Sequence, residues 1–261
     1  MWKYFAALTA ICIATTRPAL AQEGTGDEVS DCQTCPTLTV MADGSAMGTY
    51  PVTVAEFTAF AEATDVSGTE NCYIRVAKRF RNEAGFGWAN PGFEQGPNHP
   101  VVCINWMEAV AYADWLSAQT GKPYRLPTYE ESVATTAAGA ETAFWWGDDF
   151  TEVCERTNAA DAQYRAAYPE DPRKMVTCDD GYEYTSPVDA FPPNPLGLHD
   201  VAGNVWQWTN SCLKGDCSNA IFRGAAWTVP NPKHFRNDGQ WADRIVLRNS
   251  AVGFRVMRDA E

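Results

Sequence analysis

Apolar residues recur at helical spacing in three places. In "TVAEFTAFAEAT", Val54, Phe57 and Phe60 fall three apart and predict a short amphipathic helix. In "NWMEAVAYADWLSAQTG", Trp106, Val110, Ala113 and Leu116 share one face, Asn105 caps the start and Gly121 stops the run. "YEESVATTAAG", after Pro127, carries acids in its first turn and predicts a third, weaker helix. Two compact apolar runs, "AIFRGAAW" and "VGFRVMR", predict buried strands. The rest is rich in Gly, Pro, Asn and Trp and shows no internal repeat. The pattern predicts a loop-rich α+β fold, of a length that fits one large domain or two small ones, stapled by disulfides and calcium. The acidic stretch "QEGTGDEVSD" has no apolar period and predicts a flexible leader over residues 22–34, ahead of a domain spanning 35–261.

The first residues change the picture. Lys3 precedes an apolar run from Tyr4 to Thr16, followed by Ala19-Leu20-Ala21. This predicts a signal peptide over residues 1–21, cleaved near Ala21, because the run is too short to span a bilayer. The mature chain is expected to be exported, periplasmic or secreted, without membrane insertion. The net charge of -13 becomes -15 once Lys3 and Arg17 are removed. That excess of acid argues against nucleic acid and anionic membranes as partners.

Of nine cysteines, Cys12 leaves with the signal peptide. Cys32, Cys35, Cys72, Cys103, Cys154, Cys178, Cys212 and Cys217 remain, an even number that in an exported chain predicts disulfides. Short separations favour Cys32–Cys35 and Cys212–Cys217; Cys72–Cys103 and Cys154–Cys178 would then close longer loops, although sequence does not fix the pairing. Cys32-Gln33-Thr34-Cys35 lacks the β-α-β setting of a redox motif, and His99, His199 and His234 show no zinc spacing. No haem, flavin or nucleotide signature is evident.

Several segments, in order, resemble the formylglycine-generating, or sulfatase-modifying factor, family. They are "RLPT", "SPVDAFPPNPLGLHDVAGNVWQW", "FRGAAW" and "GFR", and the likeness covers nearly the whole mature chain. The resemblance implies a single domain related to C-type lectin folds. It implies a calcium site at Asn158 and Asp180 with the carbonyls of Ala159 and Tyr182, the plain alternative being an Asx turn at Asp180-Gly181. It implies a second, weaker calcium loop at Asn204 and Gln207, where the family has glutamate; alternatively these amides only bond the loop while Trp206 and Trp208 fill the core.

Family members that make formylglycine hold copper through two thiolates, and soft thiolates suit Cu(I). Aligned on "RGAAWTVPNPKHFR", the serine position is Ala226 and the thiolate positions are Val229 and His234. Copper is therefore not expected. Neither is the three-histidine iron site of another branch, whose added helical domain has no counterpart here. The candidate groove comprises His234, Trp227, Arg236 and Arg248, with Trp208 nearby. Two functions are expected of such a chain. One is a maturation factor or oxidoreductase acting on a peptide or peptide-derived compound. The other is a lectin-like binding module or an accessory protein of a periplasmic system such as nitrite reductase.

Overall fold

The computed structural model describes residues 24–260, so the signal-peptide segment lies outside the described residues. Eleven strands and five α-helices are found among them. The strands are β1 Gly24–Val29, β2 Leu38–Met41, β3 Ala46–Gly48, β4 Asn71–Val76, β5 Arg79–Ala84, β6 Tyr124–Arg125, β7 Trp206–Leu213, β8 Asp216–Arg223, β9 Gln240–Arg244, β10 Val252–Phe254 and β11 Met257–Arg258. The helices are α1 Val54–Thr64, α2 Trp106–Thr120, α3 Tyr129–Ala137, α4 Val153–Arg156 and α5 Ala162–Ala167.

The three helices predicted from periodicity form where expected, each closed at its start by a capping box. Thr53 with Glu56, Asn105 with Glu108 and Thr128 with Glu131 each exchange side-chain and backbone hydrogen bonds. Gly121, at φ 71°, ends α2 in the left-handed conformation that glycine adopts without steric cost. Phe57 of α1 stacks on Tyr112 of α2 with ring centroids 5.8 Å apart, and Phe254 of β10 packs edge-on against Tyr112 at 5.3 Å. This aromatic cluster joins the two long helices to the sheets.

Three sheets result, ordered β1-β2-β3-β11-β6, β10-β7-β8-β9 and β4-β5. The run "VGFRVMR" does not form one strand. Val252–Phe254 pairs in parallel with β7, and Met257–Arg258 pairs with β3 and β6 in the other sheet. The predicted strand at "AIFRGAAW" ends at Arg223 and begins earlier, at Asp216, because the hairpin with β7 extends it through polar residues.

Within the expected leader at 22–34, one described segment pairs with a sheet. Gly24–Val29 forms an edge strand on β2, with Glu28 opposite Thr39 and Val29 opposite Leu38. Backbone pairing holds it, with only Val29 packed against the core, so hydropathy does not reveal it. Asp31 then anchors the segment: its carboxylate takes Arg258 at 2.6 Å, Lys122 at 3.2 Å and the Tyr124 hydroxyl at 2.5 Å.

The disulfides are Cys32–Cys35, Cys72–Cys103, Cys154–Cys178 and Cys212–Cys217. All eight described cysteines are thereby used. Cys154–Cys178 closes a separation of 24 residues and Cys212–Cys217 one of 5. Loop entropy predicts that replacing the first pair by serine costs about 3 kcal/mol in denaturant unfolding, and replacing the second costs less. The reverse order would show that strain, not loop closure, dominates these bridges.

Candidate functional site

Two loops implied to hold calcium lie back to back. Asn204 N–H donates to the Asn158 carbonyl at 2.9 Å, and the Thr157 hydroxyl bonds the Ala202 carbonyl. Gly203, at φ 82°, permits this approach, since a Cβ there would stand 2.0 Å from Thr157 Oγ1.

In the first loop Asp180 is the centre. Its carboxylate accepts from Ala159 N–H at 2.8 Å and Tyr182 N–H at 2.9 Å, so both expected neighbours reach it through amides. Asp161, fully buried and not anticipated from the sequence, accepts from Asp180 N–H at 2.6 Å. Ligand atoms of Asp161, Asp180 and Cys154 lie within 4.8 Å of one another, but Cys154 is tied to Cys178 and offers no thiolate. Asn158 adds a buried Oδ1 without a hydrogen-bond partner, while its Nδ2 donates to Tyr184 O at 2.7 Å. Burial pushes the Asp180 carboxyl up to about 7, and the Asp161 charge adds to this against the Ala159 N–H. Hard oxygens converging on such a point fit a divalent cation. Asp161 also caps α5, and that capping position was its legible signal.

The second loop is different. Asn204 spends both ends of its amide: Oδ1 accepts from Ser186 N–H at 3.1 Å, and Nδ2 donates to Ser186 O and to Asp200 at 2.8 Å. Gln207 donates to Asp200 O at 2.6 Å and accepts from Arg255 Nε at 3.0 Å. The free oxygen in this loop belongs instead to Asp200, whose Oδ1 is buried without a partner. Internal hydrogen bonds therefore occupy both amides of the expected Asn204/Gln207 ligand pair. Trp208 is fully buried and Trp206 is nearly so.

A groove of about 830 Å3 opens beside these loops. Val229 and His234, the two positions aligned with thiolates, both line it, with Trp206, Phe222 and Leu247 among the apolar walls. His234 lies edge-on between Trp206, at 5.4 Å, and Trp241, at 5.7 Å. Its Nδ1 is buried without a partner, and burial, followed by the Lys233 charge, lowers its pKa below the ordinary histidine value. Valine has no donor atom and His234 offers one nitrogen, so the residues do not fit a copper dithiolate.

The other groove candidates lie elsewhere. Trp227 is buried, its indole donating to Ser250 O at 3.2 Å. Arg236 faces solvent and pairs with Asp238 at 3.1 Å. Arg248 is held by Glu108 at 2.7 Å and Glu70 at 2.9 Å, so the α2 capping glutamate takes it from the groove. Arg173, not anticipated, lines the groove instead. It pairs with Asp171 at 2.7 Å and donates to Thr228 O at 2.9 Å. Arg75 reaches the same carboxylate from β4 and lies over the Tyr168 ring at 5.3 Å.

The chain matches the sulfatase-modifying factor enzyme 1-like domain over residues 16–260. It belongs to that family. Among sulfatase-modifying factor relatives, it is 42% identical over 114 residues to a formylglycine-generating enzyme of Thermomonospora curvata, covering 43% of this chain and 33% of that one. It is 36% identical over 159 residues to the inactive C-alpha-formylglycine-generating enzyme 2 of Bos taurus, covering 59% and 46%. The chain thus spans about half or less of these curated relatives. In structure it resembles PvdO from Pseudomonas aeruginosa, with a TM-score of 0.74 at 26% identity over 90% of this chain and 98% of that one.

The Arg75–Asp171–Arg173 cluster gives a pH dependence. Burial opposes ionisation of Asp171, but the hydrogen bonds and charge of Arg173, with Arg75 behind it, outweigh burial and hold the carboxyl well below the usual carboxylate range. A depressed folded pKa adds stability above the unfolded value, and this is lost as pH falls through the folded one. Asp171→Asn should therefore lower unfolding stability at pH 7 by about 3 kcal/mol. The gap to wild type should begin to narrow below about pH 4, the unfolded carboxylate range, and close only as pH falls through the depressed folded value. A gap independent of pH would show that packing, not charge, is what the substitution removes.

Proposed function

We propose that this chain is an exported maturation factor of the sulfatase-modifying factor family that acts on a peptide or peptide-derived compound without the family's copper thiolates. The groove carries this reading: it retains the place where the thiolates would stand, and fills it with Val229 and His234. His234 is the candidate proton acceptor of the site: it lines the groove, and burial lowers its pKa, which favours the neutral imidazole. Membership of the sulfatase-modifying factor family supports a peptide-directed role, and four disulfides support an oxidising compartment. Incubated with Cu(I) and a Cys-x-Pro-x-Arg peptide, the protein should yield no aldehyde. Aldehyde forming in proportion to bound copper would sink the proposal.

One observation favours a second reading, a binding module or an accessory protein of a periplasmic nitrite reductase system. Among the described residues no nucleophile or carboxylate meets His234 Nδ1, so no base–nucleophile pair is assembled. A compound recovered from the groove chemically unchanged after prolonged incubation, in wild type and in His234→Gln alike, would favour this reading.

The first loop is assigned a structural calcium, held by Asn158, Asp161 and Asp180. The ion would neutralise two close carboxylates and fix the loop that carries Cys178 against α4. At a hundredfold excess over Kd a bound ion stabilises by about 3 kcal/mol. Chelator should then lower the wild-type Tm by about 5 °C or more. Asp180→Ala should abolish that response, whereas Gln207→Ala should leave it intact. A Tm indifferent to chelator would refute the assignment.

A further inference from the structure

The groove's charge runs against that of the whole protein. The chain carries -13 overall, yet Arg173, Lys174 and Arg244 line the groove against one carboxylate, Asp243. Arg173 is committed to Asp171, which it shares with the buried Arg75. Counting that cluster, four cations meet two carboxylates, an excess of two positive charges beside the cavity. Among the described residues Lys174 and Arg244 make no ion pair and no side-chain hydrogen bond, and both are exposed. Asp243 makes no ion pair with its neighbour's guanidinium among the described residues; its Oδ1 accepts from the Arg244 backbone N–H at 2.7 Å. Next to these cations stands Trp241, 53% exposed, with its ring edge-on to His234. An indole left half in water beside an apolar wall is costly unless something covers it.

We infer that the groove selects an acidic ligand. Its occupant is a peptide, or a compound derived from one, whose carboxylates meet Lys174 and Arg244 while an apolar side chain lies against Trp241. This rests on the groove's being the functional site and adds the class of ligand it takes. Lys174 and Arg244 are then specificity determinants rather than catalytic groups: they reach the rim, and His234 lies on the wall between two tryptophans. Two free cations in a protein of opposite net charge also steer. The acidic surround repels a negatively charged ligand everywhere except here, so the preference weakens with salt. A long polyanion would lie across that repelling surface, whereas a short peptide fits within the cavity.

The test uses the mature protein and three acetylated hexapeptide amides that differ only in charge: Gly-Glu-Phe-Glu-Phe-Gly, its glutamine counterpart and its lysine counterpart. Binding is read from tryptophan fluorescence and by calorimetry in 50 and 500 mM salt. The acidic peptide should bind about tenfold tighter than the basic one at low salt, and the ratio should shrink at high salt. Lys174→Gln with Arg244→Gln should level the three, and Lys174→Glu with Arg244→Glu should reverse their order, with the wild-type Tm retained because both side chains are exposed. Binding without regard to charge, or an acidic preference that survives the reversal, would overturn the inference and leave the groove reading standing. Tighter binding of a thymidine decamer than of the acidic peptide would overturn it in favour of a nucleic acid. Failure of all three peptides to bind would bring down the groove reading and this inference with it.

Discussion

Arg255 holds the two main sheets together. It lies in the short link between β10 and β11, where the chain crosses from one sheet to the other, and it is only 4% exposed. Its guanidinium donates to the carbonyls of Gly48 and Thr49 at the end of β3, to His199 O, and to Gln207 Oε1 on β7. A cation so buried is tolerable only if its donors are met and an opposite charge stands near. Asp200 supplies that charge, in the loop leading into β7. Burial dominates both groups, pushing Asp200 up to about 7 and Arg255 down to about 9, and each opposes the other's shift.

This arrangement explains the glutamine of "GNVWQW". An amide presents an oxygen to Arg255 and an N–H to the Asp200 carbonyl at once, and a carboxylate has no N–H to give. Gln207 therefore serves the junction between sheets. The same junction fixes the start of β7, whose Trp206 forms part of the groove wall and whose Trp208 donates to Ile104 O at 2.9 Å in the core. Tryptophans two apart on a strand point to one face, and here Trp206 meets the cavity while Trp208 packs on Phe222 beside the segment leading into α2.

The groove depends on neighbours in the same way. The groove segment that carries Val229 runs over Ala160, whose N–H donates to Val229 O at 3.2 Å. The candidate cation loop therefore supports the floor of the groove directly. Arg173 braces the adjoining wall through Thr228 O, and Asp171 keeps Arg173 there. A change in the cation loop would reach the groove through one backbone hydrogen bond, without any contact with a ligand.

Local sequence determined much of this. The α1, α2 and α3 helices follow from apolar spacing and three capping boxes, which act within four residues and need no partner. The family follows from motifs whose residues stand in order, and the expectation that Val229 and His234 replace the thiolates comes from the same motifs. Tertiary structure alone decided the rest. β1 is held by main-chain pairing and by Asp31, neither of which leaves a hydropathy signal. Arg248 and Arg236 were drawn to Glu108, Glu70 and Asp238, while Arg173 and Arg244 reached the groove. A charged side chain goes to whichever carboxylate the fold sets within reach, over sequence separations as large as the 140 residues between Glu108 and Arg248. Spacing along the chain carries no record of such a choice, because it is made by packing in three dimensions.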